Sequence, residues 1–288
     1  MLRTRFITAL VLLALVVPAL LWLPVDGFAM FVLVFVAAAA WEWARLCGFG
    51  MPAALAYAGL TVAGALALGM AARGDAAPVS LAAFSVAAIG WAGIAVSWAT
   101  RGAGAPRGRW LAALGLMLLL PCWWAVVQAR AAGALFLFLL MGLVWVADIG
   151  AYFAGRRFGR HKLAPAVSPG KTWEGVAGGL AAGILLAVVC AGLTTAAGGA
   201  WDSWFAWLFA AAGRLGPGGF VGALAVVALL VGFSVLGDLF ESLLKRRAGV
   251  KDSSGLLPGH GGVLDRIDAL IPTMPIAMLL FAALQPAG

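Results

Sequence analysis

Nine apolar runs, each close to the roughly 20 residues that carry a helix across a hydrocarbon core, partition this chain and leave it little choice of fold. They cover residues 6–23, 27–46, 52–70, 79–98, 110–128, 133–154, 173–197, 219–245 and 266–285. Lipid offers no water to backbone amides, so such segments fold as helices that satisfy their own hydrogen bonds. The expectation is an all-α, polytopic integral membrane protein of about nine transmembrane helices, forming one membrane domain over residues 1–288. Composition agrees, with 64% hydrophobic and 10% charged residues. The basic start and first apolar run imitate a secretory signal. The run continues to Leu23 without a small-residue cleavage site, so it is read as a retained span. A further apolar piece, Trp201 to Ala212, is too short to cross and suits an interfacial helix or a re-entrant segment.

The net charge of +8 does not point to nucleic acid, because the cations fall in short connections between apolar runs. Arg3, Arg5, Arg45, Arg101, Arg107, Arg109, Arg156, Arg157, Arg160, Lys162, Lys171, Lys245, Arg246, Arg247, Lys251 and Arg266 all fall on the side of the N-terminus, sixteen of the nineteen Lys and Arg. Only Arg73, Arg130 and Arg214 fall on the other. By the positive-inside rule the N-terminus is expected in the cytoplasm and the C-terminus outside. Cys47, Cys122 and Cys190 have no metal-ligand spacing and read as inert small residues.

Residues 1–130 read largely as scaffold and 131–288 as the catalytic part. In the scaffold, Glu42 stands three positions before Arg45, and a local ion pair is preferred to a catalytic role. Gly59, Gly64, Gly69, Gly179 and Gly183 suit close helix packing, within one chain or between two.

The second half carries the chemistry. The sixth run holds Asp148 and Tyr152 on one helix face, about 10 Å below its basic end. A carboxylate at that depth is costly unless paired, hydrated or bound to a cation; Arg156 is the bland partner. The following loop contains Gly170-Lys171-Thr172, but Pro165 stands where a P-loop needs glycine, so this is no Walker sequence. Ser168 or Thr172 is expected to cap the seventh helix and, with Lys171, to make an anion site. His161 reads as a solvated loop residue. Asp238, Glu241, Ser242 and Lys245 share one face of the eighth run, with Asp238 at the depth of Asp148. A glycine-rich loop then leads to Asp265-Arg266-Ile267-Asp268, where acids in a first helical turn also suit the helix dipole. Together these carboxylates, ringed by Lys and Arg, point to a Mg²⁺-type site with few protein oxygens, and to phosphoryl-type transfer at the depth of lipid phosphates.

The run from Ser242 through Lys245-Arg246, Lys251-Asp252, Ser254, Leu257-Pro258, His260-Gly261-Gly262 and Asp265-Arg266-Ile267-Asp268 spans 27 positions. It resembles the signature of the phosphatidate cytidylyltransferases, the CDP-diacylglycerol synthases, and Asp148 to Gly175 is similar to that family's other motif region. Runs one to five contribute no specific match.

The resemblance implies condensation of phosphatidic acid with CTP to give CDP-diacylglycerol and pyrophosphate, dependence on Mg²⁺ with a second cation left open, a homodimer, and a bacterial plasma (inner) membrane. It maps the metal-binding acids onto Asp238 and Asp265, and further onto Asp268 and Asp148. Lys171, Lys245, Arg246, Lys251 and Arg266 are then candidate phosphate contacts; Ser168, Thr172, Ser242, His260, Gly261 and Gly262 are candidates for holding substrate. Two rival readings are a CTP-dependent prenol kinase, which would move the γ-phosphate, and a transporter. The clustering of charge at one end of the spans disfavours the transporter.

Overall fold

The computed structural model describes residues 2–101, 108–196, 203–214, 216 and 218–284; Arg107 and Trp201 lie outside them. Six long helices open the chain: α1 (Leu2–Trp22), α2 (Val25–Leu46), α3 (Met51–Ala71), α4 (Ala76–Arg101), α5 (Arg109–Ala132) and α6 (Ala134–Phe158). A small hairpin, β1 (Lys162–Ala164) and β2 (Ser168–Thr172), follows. The remaining helices are α7 (Trp173–Ala196), α8 (Trp204–Gly213), α9 (Gly219–Arg247), α10 (Leu264–Ile267) and α11 (Leu270–Ala283). Among the described residues eight helices are long and apolar enough to cross a membrane, matching the first eight expected spans. The protein is an all-α polytopic membrane protein.

The ninth expected span differs. It is broken into α10 and the 14-residue α11 at Asp268 and Ala269. Pro272 explains the break, since it has no N–H to donate to the Asp268 carbonyl four residues back. That carbonyl instead lies against Gly237 of α9, leaving no room there for a Cβ. At 1.5 Å per residue α11 reaches only about 21 Å. Its far end meets α8, where the Trp204 indole donates to the Ala277 carbonyl at 3.3 Å and the Trp207 and Phe281 rings stand 4.9 Å apart. Trp204 and Phe205 are fully buried, so α8 packs into the bundle rather than lying along its surface.

Helices in lipid associate through close packing and buried hydrogen bonds rather than by water exclusion. The α6–α7 pair shows the first. A Cβ on Gly179 would stand 2.8 Å from the Ala147 carbonyl, and one on Gly175 would stand 3.0 Å from that of Ala151. Gly183 faces Val231 and Leu143, and Gly64 faces Leu120, whereas Gly59 faces open space. The N-terminal helices show the second. Trp43 Nε1 donates to the Leu111 carbonyl at 2.9 Å and Tyr57 Oη to that of Ala112 at 2.6 Å, fixing α2 and α3 on the first turn of α5. Trp43 also lies 6.1 Å from the Phe240 ring of α9. The C-terminal end of α2 is thereby held beside the charged end of α9.

Candidate active site

Two clefts lie near the charged end of α9, one lined by Asp148, Lys171 and Asp238 and the other by residues of the 251–266 loop. The first, about 510 Å³, lies between α6, α7, α9 and β2. Its walls carry Val176, Val231 and Val235 beside Asp148, Lys171 and Asp238. The backbone approach of α6 to α7 places Asp148 opposite β2, where the hairpin turns Lys171 inward. Thr172 caps α7 as expected, its Oγ1 accepting from Gly175 N at 3.1 Å. Ser168 lies on the same cleft wall. His161 is solvated, with its Nδ1 2.6 Å from Glu174, whose carboxylate also accepts the N–H groups of Arg160 and His161. Arg156 donates to Tyr152 Oη at 3.2 Å.

Lys171 Nζ stands 2.5 Å from Asp238 Oδ2, and Ser242 Oγ donates to Asp238 Oδ1 at 3.3 Å. One turn further along α9, Lys245 bridges Glu241 and Asp265, the latter at 2.5 Å. Asp148 is within electrostatic reach of Lys171 and Asp238, and Asp268 within reach of Asp238, Lys171 and Lys245. The expected convergence of acids from separate helices is therefore present. Lys245 lies inside the cluster, while Arg246 turns outward to the Val250 carbonyl at 3.4 Å.

Asp265 is the best-anchored of these acids. Its Oδ2 accepts Gly262 N at 2.7 Å, and Ser253 N and Ser253 Oγ each at 2.9 Å. Burial works against its charge, but Lys245 and the Gly262 and Ser253 donors outweigh it and hold the carboxyl at about 2. The value is depressed, so this network's stabilisation is complete above the ordinary carboxylate range and is lost only as pH falls toward 2. Gly261 has φ +80°, and a Cβ there would come within 2.6 Å of Asp265 Oδ2. The glycine pair lets the backbone close on the carboxylate.

The second cleft, about 810 Å³, opens beside the 251–266 loop. Lys251, His260, Gly261 and Arg266 line it, together with Thr4 and Arg5 of α1. Thr8 Oγ1 donates to the Pro258 carbonyl at 2.8 Å and ties α1 to this loop.

Two contributions escape the sequence reading. One is Arg5, counted there only for orientation. The other is Glu42, which does not pair with Arg45; that guanidinium reaches the Phe49 carbonyl at 3.3 Å. Glu42 is 0% exposed and accepts four hydrogen bonds from the signature loop. Its partners lie more than 200 residues away, and no local pattern announces them.

Five carboxylates, Asp148, Asp238, Glu241, Asp265 and Asp268, face two ammonium groups, those of Lys171 and Lys245, and both Glu241 oxygens lack a hydrogen-bond donor beyond Lys245. Among the described residues no group of three or more His, Cys, Asp or Glu side chains is placed to hold a metal ion. An oxygen-only set with an excess of negative charge suits Mg²⁺, which keeps water and uses few carboxylates alongside phosphate.

A model described as the cytidylyltransferase family matches residues 3–284. The phosphatidate cytidylyltransferase of Pseudomonas aeruginosa is 41% identical over 289 residues, 98% of this chain and 98% of that protein. Phosphatidate cytidylyltransferases of Haemophilus influenzae and Bacillus subtilis match over shorter stretches, at 48% identity over 48% of this chain and 44% of theirs, and at 38% over 52% and 48%. With similarity running nearly from end to end, this chain belongs to the cytidylyltransferase family and is a membrane-embedded nucleotidyltransferase.

Proposed function

We propose that the protein transfers a cytidylyl group from CTP to phosphatidic acid, giving CDP-diacylglycerol and pyrophosphate, at the cytoplasmic face of a bacterial inner membrane. The observation that carries this reading is a pair of unlike clefts beside one set of acids and lysines. An apolar-walled cleft within the helices carries Asp148, Lys171 and Asp238, and a cation-lined cleft at the loop surface carries Arg266 and Gly261, which closes on Asp265. A lipid phosphate suits the first and a triphosphate the second. The sixteen-to-three distribution of Lys and Arg supports the orientation.

In this reaction a phosphate oxygen of phosphatidic acid attacks the α-phosphorus of CTP; the new P–O bond forms as the bond to the β-phosphate bridge breaks, and pyrophosphate leaves. The lipid phosphate is already an anion, so no strong base is required. The obstacle is repulsion between two anions. Lys171 in the first cleft attracts the lipid phosphate, while Lys251, Arg266 and Arg5 hold the triphosphate and the departing pyrophosphate. His260 and the Gly261-Gly262 backbone shape the nucleotide side. Lys245 keeps Asp265 and Glu241 together. Asp238 and Asp265, with Asp268 and Asp148 beside them, would hold Mg²⁺, which when bound supplies charge neutralisation to the reacting phosphates.

Purified protein in detergent, given phosphatidic acid and CTP labelled in the cytosine ring, is expected to move label into the organic phase. Excess chelator should reduce that transfer at least about a hundredfold, and Mg²⁺ should restore it. Folded protein that leaves all label in the aqueous phase contradicts the reading, and undiminished transfer in chelator removes the metal from it.

A further inference from the structure

Glu42 has no place in the chemistry above, yet it is fully buried and accepts four hydrogen bonds. Oε1 accepts Ser254 Oγ at 2.5 Å and Val263 N at 2.9 Å; Oε2 accepts Leu264 N at 2.6 Å and Ser253 Oγ at 3.0 Å. Every partner is a donor, and no cation is paired with the carboxylate among the described ion pairs. The acid projects from α2, fixed by Trp43 next to it, and closes both ends of the signature loop, residues 253–254 and 263–264, onto a helix outside the catalytic half.

Ser253 connects this anchor to the site. Its single hydroxyl proton faces two carboxylates, Asp265 Oδ2 at 2.9 Å and Glu42 Oε2 at 3.0 Å, and serves one at a time. Its backbone N–H also donates to Asp265. Gly262 is equally shared: its N–H donates to Asp265, and a Cβ on it would run into Glu42 and Ser253. Thus two of the three donors to Asp265 Oδ2 come from a residue that Glu42 holds, and the third from the residue just before its Val263 contact.

We infer that Glu42 is a positioning residue of the transfer site, acting through Ser253 and the 262–264 backbone to set the orientation of Asp265. The inference rests on the transfer reaction proposed above. A carboxylate is required rather than a polar group of the same shape. The amide introduced by Glu42→Gln would set an NH₂ against Val263 N–H or Leu264 N–H, and a backbone donor has no way to become an acceptor.

The test compares wild type with Glu42→Gln, Glu42→Asp and Ser253→Ala, all as full chains in detergent. Outer hydrogen bonds to a metal-binding carboxylate are typically worth about 10- to 100-fold in metal affinity or rate. The Mg²⁺ concentration giving half-maximal transfer is therefore expected to rise about tenfold in Glu42→Gln, with Glu42→Asp intermediate. That readout does not depend on the fraction of protein folded. Independently of turnover, amide hydrogen exchange at Val263 and Leu264 in the metal-free Glu42→Gln protein should accelerate, while exchange in α5 stays as in wild type. Ser253→Ala leaves every backbone donor to Glu42 in place, so it keeps the proposal testable where Glu42→Gln does not fold; its half-saturating Mg²⁺ should rise at least about threefold. Half-saturation and exchange both as in wild type for folded Glu42→Gln, or unchanged half-saturation in Ser253→Ala, overturn the proposal. Wild-type protein that transfers no cytidylyl group overturns the proposed function and this role with it, whereas active wild type with indifferent variants overturns this role alone.

Discussion

Asp265→Asn should lower the rate of cytidylyl transfer by at least about a thousandfold while leaving the helical bundle assembled. Three donors and the Lys245 ammonium converge on this carboxylate, and an amide matches neither the charge nor the acceptor count. Its Nδ2 would face either Lys245 or the Ser253 and Gly262 amides. The bundle core, built around residues such as Leu118, Leu119, Leu137 and Met274, does not involve this residue, so thermal unfolding in detergent should remain a single transition. Asp238→Asn is expected to match the loss, because it releases Lys171 from its ion pair in the first cleft. Activity within about tenfold of wild type in either variant would remove that acid from the site.

Gly178→Leu should separate two helices. A Cβ at Gly178 would stand 2.9 Å from the Gly150 carbonyl, and backbone in a helix cannot move aside as a side-chain tip can. Overpacking of this kind costs about 3 kcal/mol, and here the displaced helices carry Asp148 and the Thr172 cap, so transfer should fall about a hundredfold with the melting temperature. Gly59→Leu is the matched control, since nothing lies within 4 Å of its added Cβ. Wild-type stability and activity are expected there. A loss at Gly59 would instead mark a surface used between two copies of the chain, and unchanged behaviour of Gly178→Leu would contradict the α6–α7 packing.

Much of this arrangement is legible in the sequence because charge is rare in it. An Asp at 148 or 238 inside an apolar run demands an explanation, and the structure supplies one in Lys171 and the shared cluster. The Ser242–Asp268 signature likewise marks the loop on which Asp265 sits. Glu42 misleads for a physical reason: an acid one helical turn from an Arg already has an inexpensive local partner, and only the tertiary fold shows that Arg45 is turned to Phe49. The division into scaffold and catalytic halves consequently understates α1 and α2, which bring Arg5 and Glu42 to the site. The break between α10 and α11 has a visible signal in Pro272, but hydropathy alone runs straight across it. For 201–212, length excludes a full crossing; the choice between surface and interior depends on contacts with Ala277 and Phe281 that no local pattern encodes.

The fate of the individual phosphates tests the central claim most directly. CTP carrying one label at the α-phosphate and a distinguishable one at the γ-phosphate is incubated with the purified protein, Mg²⁺ and phosphatidic acid, and the lipid and aqueous products are separated. Cytidylyl transfer predicts the α-label in the lipid and the γ-label in pyrophosphate, in equal amounts. Recovery of the γ-label in the lipid, with the α-label remaining in CDP, would contradict it and identify a kinase.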